Sequence, residues 1–125
     1  MLSIAAVTFA FVLMASTVKA QCAANEFFVY NYTNCTFDIN IQYGSTACVY
    51  AGNFFDLAYP GPNCYVIPTG MGYVIRVYGQ GAVPVDATAG LSCIAPGTVQ
   101  PVSDCNSGTS TVSYSSWNVG QAKIY

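Results

Sequence analysis

Between Cys35 and Tyr43 the chain alternates without a break. Cys35, Phe37, Ile39, Ile41 and Tyr43 fall on one parity, and Thr36, Asp38, Asn40 and Gln42 on the other. A period of two sustained over nine residues marks a strand with one face on a core and one in water. Wound as a helix, the same residues would spread Phe37, Ile39 and Ile41 around more than half the circumference, so the helical reading fails. This segment is expected to be a central strand of the fold.

Upstream, Phe27-Phe28-Val29-Tyr30-Asn31-Tyr32 is β-rich and apolar on both parities, as suits a strand covered on one side and adhesive on the other. Thr33-Asn34 offers turn chemistry between the two. Downstream, Cys48-Val49-Tyr50 and Phe54 to Leu57 are short strand candidates. Tyr59-Pro60-Gly61-Pro62-Asn63 reads as a turn through which no ladder should run, because proline fixes φ and lacks a donor. Cys64–Ile67 and Tyr73–Tyr78, around a glycine-containing connection, are expected to pair as a hairpin. From Gly79 to Gly90 the composition turns to Gly, Ala, Pro and Asp, suggesting a long connection with an edge strand at Ala82–Val85. Leu91–Ala95 and Thr98–Val102 are short strand candidates, Asp104–Ser110 a loop, and Thr111–Tyr114 with 117–125 a closing pair.

No segment carries helical periodicity over ten residues. Short strands punctuated by Gly/Pro turns argue for an all-β fold: a small disulfide-stapled antiparallel β-sandwich of Greek-key or immunoglobulin-like type. Phe28-x-Tyr30-x-Tyr32-x-Asn34-Cys35, with the alternation through Ile41, resembles the opening hairpin of thaumatin-like proteins. The resemblance is confined to that stretch and implies shared β-sandwich grammar. No functional residue carries over, since the acidic cleft of those longer, more cysteine-rich proteins has no counterpart to align.

Residues 1–20 are set apart from this fold. An almost unbroken apolar run from Ile4 to Ala15 precedes Val18-Lys19-Ala20, a small-residue cleavage pattern, so residues 1–20 are read as a secretory signal peptide. The n-region carries no basic side chain, and Gln21 before Cys22 speaks against a lipid-anchor signal. Residues 21–125 then form a single secreted, extracellular domain with no membrane span.

Charge narrows the partners. The mature part carries Arg76 and Lys123 against Glu26, Asp38, Asp56, Asp86 and Asp104, a net of −3. That balance disfavours nucleic acid and anionic membrane surfaces. All six cysteines, Cys22, Cys35, Cys48, Cys64, Cys93 and Cys105, lie in the mature part. With no histidine and no C-x-x-C pair they read as three disulfides and not as a metal site, with the pairing open.

Catalytic chemistry is scarce. Without histidine neither a Ser-His nor a Cys-His pair exists, and oxidised cysteines leave no thiolate. Five carboxylates could in principle supply an acid pair for a small secreted hydrolase, yet no spacing pairs any two, and Asp38 falls on a solvent-facing parity. Asp104-Cys105-Asn106-Ser107, or Asp86, offers too few oxygens to suggest calcium, so no metal and no cofactor are expected.

The aromatic residues stand out: ten tyrosines, seven phenylalanines and one tryptophan. Many must fill the core, but Tyr30, Tyr32, Arg76, Tyr78 and Trp117 are taken as a ligand-binding set on outward parities. The expected function is that of a non-enzymatic extracellular interaction or structural protein, adhering or assembling through aromatic strand surfaces. The alternative is a monomeric carbohydrate- or ligand-binding module, with the acid-dependent hydrolase behind it. Partners are thus an extracellular protein, a glycan or a second copy. Strand edges without lysine or acid would favour assembly by strand addition. Asn31-Tyr32-Thr33 and Asn34-Cys35-Thr36 both match the N-glycosylation pattern of eukaryotic hosts, too close together for both to be occupied.

Overall fold

The computed structural model describes residues 22–125 apart from positions 47, 69, 94, 96, 117 and 118. The expected signal peptide and Trp117 lie outside the described residues. Nine strands occur in chain order: β1 (Glu26–Asn31), β2 (Phe37–Gly44), β3 (Gly52–Ala58), β4 (Gly61–Val66), β5 (Met71–Val77), β6 (Ala87–Gly90), β7 (Val99–Ser103), β8 (Thr109–Ser115) and β9 (Gln121–Ile124). They form a five-stranded sheet, β4-β1-β9-β8-β7, packed on a four-stranded sheet, β3-β2-β5-β6. Three disulfides staple the domain, and the fold is a small all-β sandwich, as its alternating pattern implies. All pairs are antiparallel except β1 with β9, which run parallel.

The organising strand lies where its alternation puts it. β2 is interior, flanked by β3 and β5, with Phe37, Ile39 and Ile41 fully buried and Asp38 exposed. From the other sheet β1 buries Phe27 and Val29, β8 buries Val112, and β9 buries Ala122 and Ile124. At about 25 cal/mol per Å² of apolar surface, each large side chain so covered contributes roughly 1.5–3 kcal/mol. Phe27 lies against Gly72, where an added Cβ would stand 2.5 Å from the ring, so only glycine lets β5 approach there. Tyr114 packs on the same ring at 6.2 Å, and its hydroxyl donates to the Gly72 carbonyl at 2.6 Å.

Asn31 closes the upper end of the core. It ends β1 as a buried polar residue, and its Nδ2 donates to the carbonyls of Cys35 at 2.7 Å and Ala58 at 3.1 Å. Its Oδ1 accepts from the Thr33 amide and hydroxyl. The segment after β1 is therefore a crossing between sheets and not half of a hairpin, which corrects the thaumatin-like expectation for residues 28–41.

The hairpin expected from Cys64–Ile67 and Tyr73–Tyr78 is likewise absent. β4 pairs with β1 in one sheet, and β5 pairs with β2 and β6 in the other. Buried at Tyr73, Val74, Ile75 and Val77, β5 needs neighbours on both sides, which a two-stranded ribbon cannot supply. The ladder also runs into the Tyr59–Asn63 turn. Gly61, at φ 99°, opens β4, and Pro62 sits opposite Tyr30 on an edge strand, where a missing donor costs nothing. Cys48–Tyr50 forms no strand, because Cys48 adopts a left-handed φ of 65°. Ala82–Val85 is an exposed bend, and Leu91–Ala95 closes through the Ala95 amide to the Leu91 carbonyl. The strand between them is β6, built from small residues.

Each disulfide ties a different part of the frame. Cys35–Cys105 joins two connections at the upper end, Cys48–Cys93 joins two at the lower end, and Cys22–Cys64 binds the lead-in segment to β4. With sequence separations of 42, 70 and 45, the chain-entropy account assigns each on the order of 4 kcal/mol.

The edges are defended, against expectation. β4 carries Pro62, β7 carries Pro101, and β6 has only four residues. Beside β6, Val85 and Ser103 exchange hydrogen bonds that close that flank. On β3 the Asp56 carboxylate accepts the Leu57 amide at 2.7 Å and sets a charge in the edge. These are devices that discourage strand addition.

Candidate functional site

The outer face of the five-stranded sheet is built on the second parity of β1. Phe28, Tyr30 and Tyr32 follow one another, with Phe28 and Tyr30 edge-to-face at 6.0 Å and Tyr30 stacked on Tyr32 at 4.2 Å. The register sets Gln121 and Lys123 of β9 beside Phe28 and Tyr30, and Ser115 and Ser113 of β8 beyond them. Ser113, Tyr114, Ser115, Gln121 and Lys123 line a depression of about 210 Å³. Tyr32, 58% exposed, donates its amide to Ile124, and the exposed Tyr125 follows on β9. Among the described residues, the phenols of Tyr30 and Tyr32, the Gln121 amide and the Lys123 ammonium have no side-chain hydrogen-bond partner.

The outer face of the four-stranded sheet is occupied differently. Arg76 forms an ion pair with Asp86 at 3.0 Å, while the other Asp86 oxygen accepts the Gly79 amide at 2.8 Å. The Arg76 guanidinium also lies 5.0 Å from the Tyr78 ring centre, and Phe55 stacks on Tyr78 at 6.3 Å. Asn40 Nδ2 donates to Asn53 Oδ1 at 3.0 Å and to the Phe54 carbonyl, and Asn53 Nδ2 donates to the Tyr50 hydroxyl. Phe55, 70% exposed, is the main apolar group left in water.

The expected binding set thus divides. Tyr30 and Tyr32 share one outer face, Arg76 and Tyr78 share the opposite one, and Trp117 lies outside the described residues. Sequence reasoning passed over Phe28, Gln121, Lys123 and Tyr125. The signal for the last three was present in Gln121-Ala122-Lys123-Ile124-Tyr125, whose alternation matches the observed burial.

The five carboxylates occupy five separate settings. Glu26 accepts the Ala23 amide, Asp38 faces solvent on β2, Asp56 takes the Leu57 amide, and Asp86 takes Arg76. The amides of Gly108 and Asn106 hold the Asp104 carboxyl below its usual range, with the Ser110 hydroxyl assisting. No group of three or more His, Cys, Asp or Glu that could hold a metal ion occurs among the described residues. Three phenols lie in the interior: burial pushes Tyr114 up to about 12, burial with the Asp56 charge raises Tyr65, which donates to the Leu57 carbonyl, and burial raises Tyr73, whose hydroxyl has no partner among the described residues.

Fold and bridges define a class, a small disulfide-stapled β-sandwich, and three disulfides in so small a domain are consistent with an extracellular protein. Among the described residues no helix is long and apolar enough to cross a membrane. No protein-family model, curated protein or solved structure matches the chain.

Proposed function

We propose that the chain is a secreted, non-enzymatic interaction protein that works through the outer face of its five-stranded sheet, a second copy being its first partner. The observation that carries this reading is the ring row Phe28–Tyr30–Tyr32 beside unengaged Lys123 and Gln121. Tyrosine supplies large contact area at low entropy cost, and polar groups without internal partners can bond across an interface. Low charge removes most of the repulsion between copies.

Ring geometry favours protein contact over sugar stacking. A pyranose needs an open ring face, and the stacking of Tyr30 on Tyr32 at 4.2 Å covers one face of each ring, while their edges and hydroxyls stay available to a protein partner. The guarded edges favour contact by the sheet face over strand addition. Light scattering of the oxidised chain over a range of concentrations tests the reading. The expected result is a mass that climbs above one chain and falls back when Tyr30 and Tyr32 are both replaced by alanine. A glycan that binds the monomer and is lost in the same variant would instead favour the carbohydrate module.

A further inference from the structure

Two Asn-x-Thr motifs stand three residues apart, and the fold treats them in opposite ways. Asn31 is 1% exposed, and both hydrogens of its Nδ2 are engaged by the carbonyls of Cys35 and Ala58. An amide nitrogen bearing a sugar keeps one hydrogen, so one of those carbonyls would lose its donor inside the protein. The saccharide would also have to leave through the packed junction of β1 and β3. Asn34, at the tip of the same connection, is exposed. Its Oδ1 accepts from Asn106 Nδ2 at 2.9 Å, while its own Nδ2 has no partner among the described residues. Asn106 fixes the amide by its carbonyl end and leaves the nitrogen unengaged.

We propose that Asn34 is the N-glycan acceptor of the folded, exported chain and that Asn31 is not, because a chain modified at Asn31 could not form the buried bonds that close its core. The inference draws on the exported setting proposed above, in a host that glycosylates Asn-x-Thr. The donor is a lipid-diphosphate-linked oligosaccharide. Asn34 Nδ2 forms a bond to the anomeric carbon, the bond from that carbon to the diphosphate oxygen breaks, the oxygen keeps the electron pair, and Nδ2 releases one proton. Timing permits the step although Cys35 ends in a disulfide. Its partner Cys105 follows 70 residues later, which at about 5–20 residues per second of synthesis leaves roughly 4–14 s.

The test expresses the full chain in a glycosylating eukaryotic host, behind its own first twenty residues and, in parallel, behind the leader of an established secreted protein. Intact mass is read from medium and lysate before and after enzymatic release of N-glycans. The expected result is a decrement of one glycan, with aspartate at position 34 in the released peptide. Asn34→Gln and Thr36→Ala should each abolish the decrement. No decrement behind the foreign leader, or one that persists in Asn34→Gln, would overturn the assignment. A chain that is glycosylated behind the foreign leader but retained unmodified behind its own would contradict the export reading and leave Asn34 standing.

Discussion

The two outer faces of the sandwich carry similar aromatic content and spend it differently. On the four-stranded sheet Arg76 bonds Asp86, Asn40 and Tyr50 bond Asn53, and Tyr78 lies near both the Arg76 guanidinium and the Phe55 ring. On the five-stranded sheet the rings stack on one another, and the phenols of Tyr30 and Tyr32, the Gln121 amide and the Lys123 ammonium have no side-chain hydrogen-bond partner among the described residues. Asp38 faces water on the four-stranded sheet, but a face most of whose polar groups bond to one another gains less from a partner. A face whose groups are bonded only to water can exchange those bonds for an interface while burying rings. Exposed aromatic residues therefore locate a contact surface only together with the state of their polar neighbours.

Four substitutions or conditions can break or sharpen that contrast. The largest effect is expected at Asn31, the clamp between β1, β3 and the first sheet crossing. Asn31→Ala should cost about 2–4 kcal/mol in urea unfolding, because several buried bonds are lost together. It should disable both faces alike and so calibrate what mere unfolding looks like. Next comes the double change Tyr30→Ala, Tyr32→Ala, expected to weaken self-association by about 2 kcal/mol, roughly thirtyfold, with an unfolding midpoint close to the parent. Equal losses in both assays would make these rings structural.

Arg76→Ala should be smaller. The ion pair and ring contact are partly solvent-screened, so about 0.5–1 kcal/mol of stability is at stake. Association measured by light scattering should not change, and a large change there would reverse the roles of the two faces. The smallest effect concerns pH. The Asp104 carboxyl is held below its usual range by the amides of Gly108 and Asn106. Its contribution is present above the ordinary aspartate value and is lost as pH falls through the lowered folded value. Acid should thus reduce thermal stability, and Asp104→Asn should flatten that dependence without altering association.

How much of this was legible in the sequence depends on which physical signal each feature leaves. The inward set Phe37, Ile39 and Ile41 was readable because a half-buried strand must alternate, and β8 and β9 were readable as a closing pair. Partner choice was not readable. Pro68 to Gly72 would look the same whether the chain turned back on its neighbour or crossed to the other sheet, and only the burial of β5 on both faces decides. β6 was missed because Ala87-Thr88-Ala89-Gly90 has weak strand propensity. It is a strand because small residues fit where β5, β7 and β8 come close. Of the candidate site, the outward parity of Tyr30, Tyr32 and Tyr78 was legible, but parity does not say which sheet a strand joins. Four expected contact residues thus divided between two faces. Asn31 read as one of two glycosylation motifs, and only its buried hydrogen bonds separate it from Asn34.

The measurement that tests the central claim most directly is the solution mass of the oxidised chain, wild type beside the Tyr30→Ala, Tyr32→Ala variant, over about a hundredfold in concentration. The account predicts a wild-type mass that rises with concentration and a variant that remains a folded monomer throughout. A wild type that stays monomeric across the range, or a variant that associates as strongly as its parent, would contradict it.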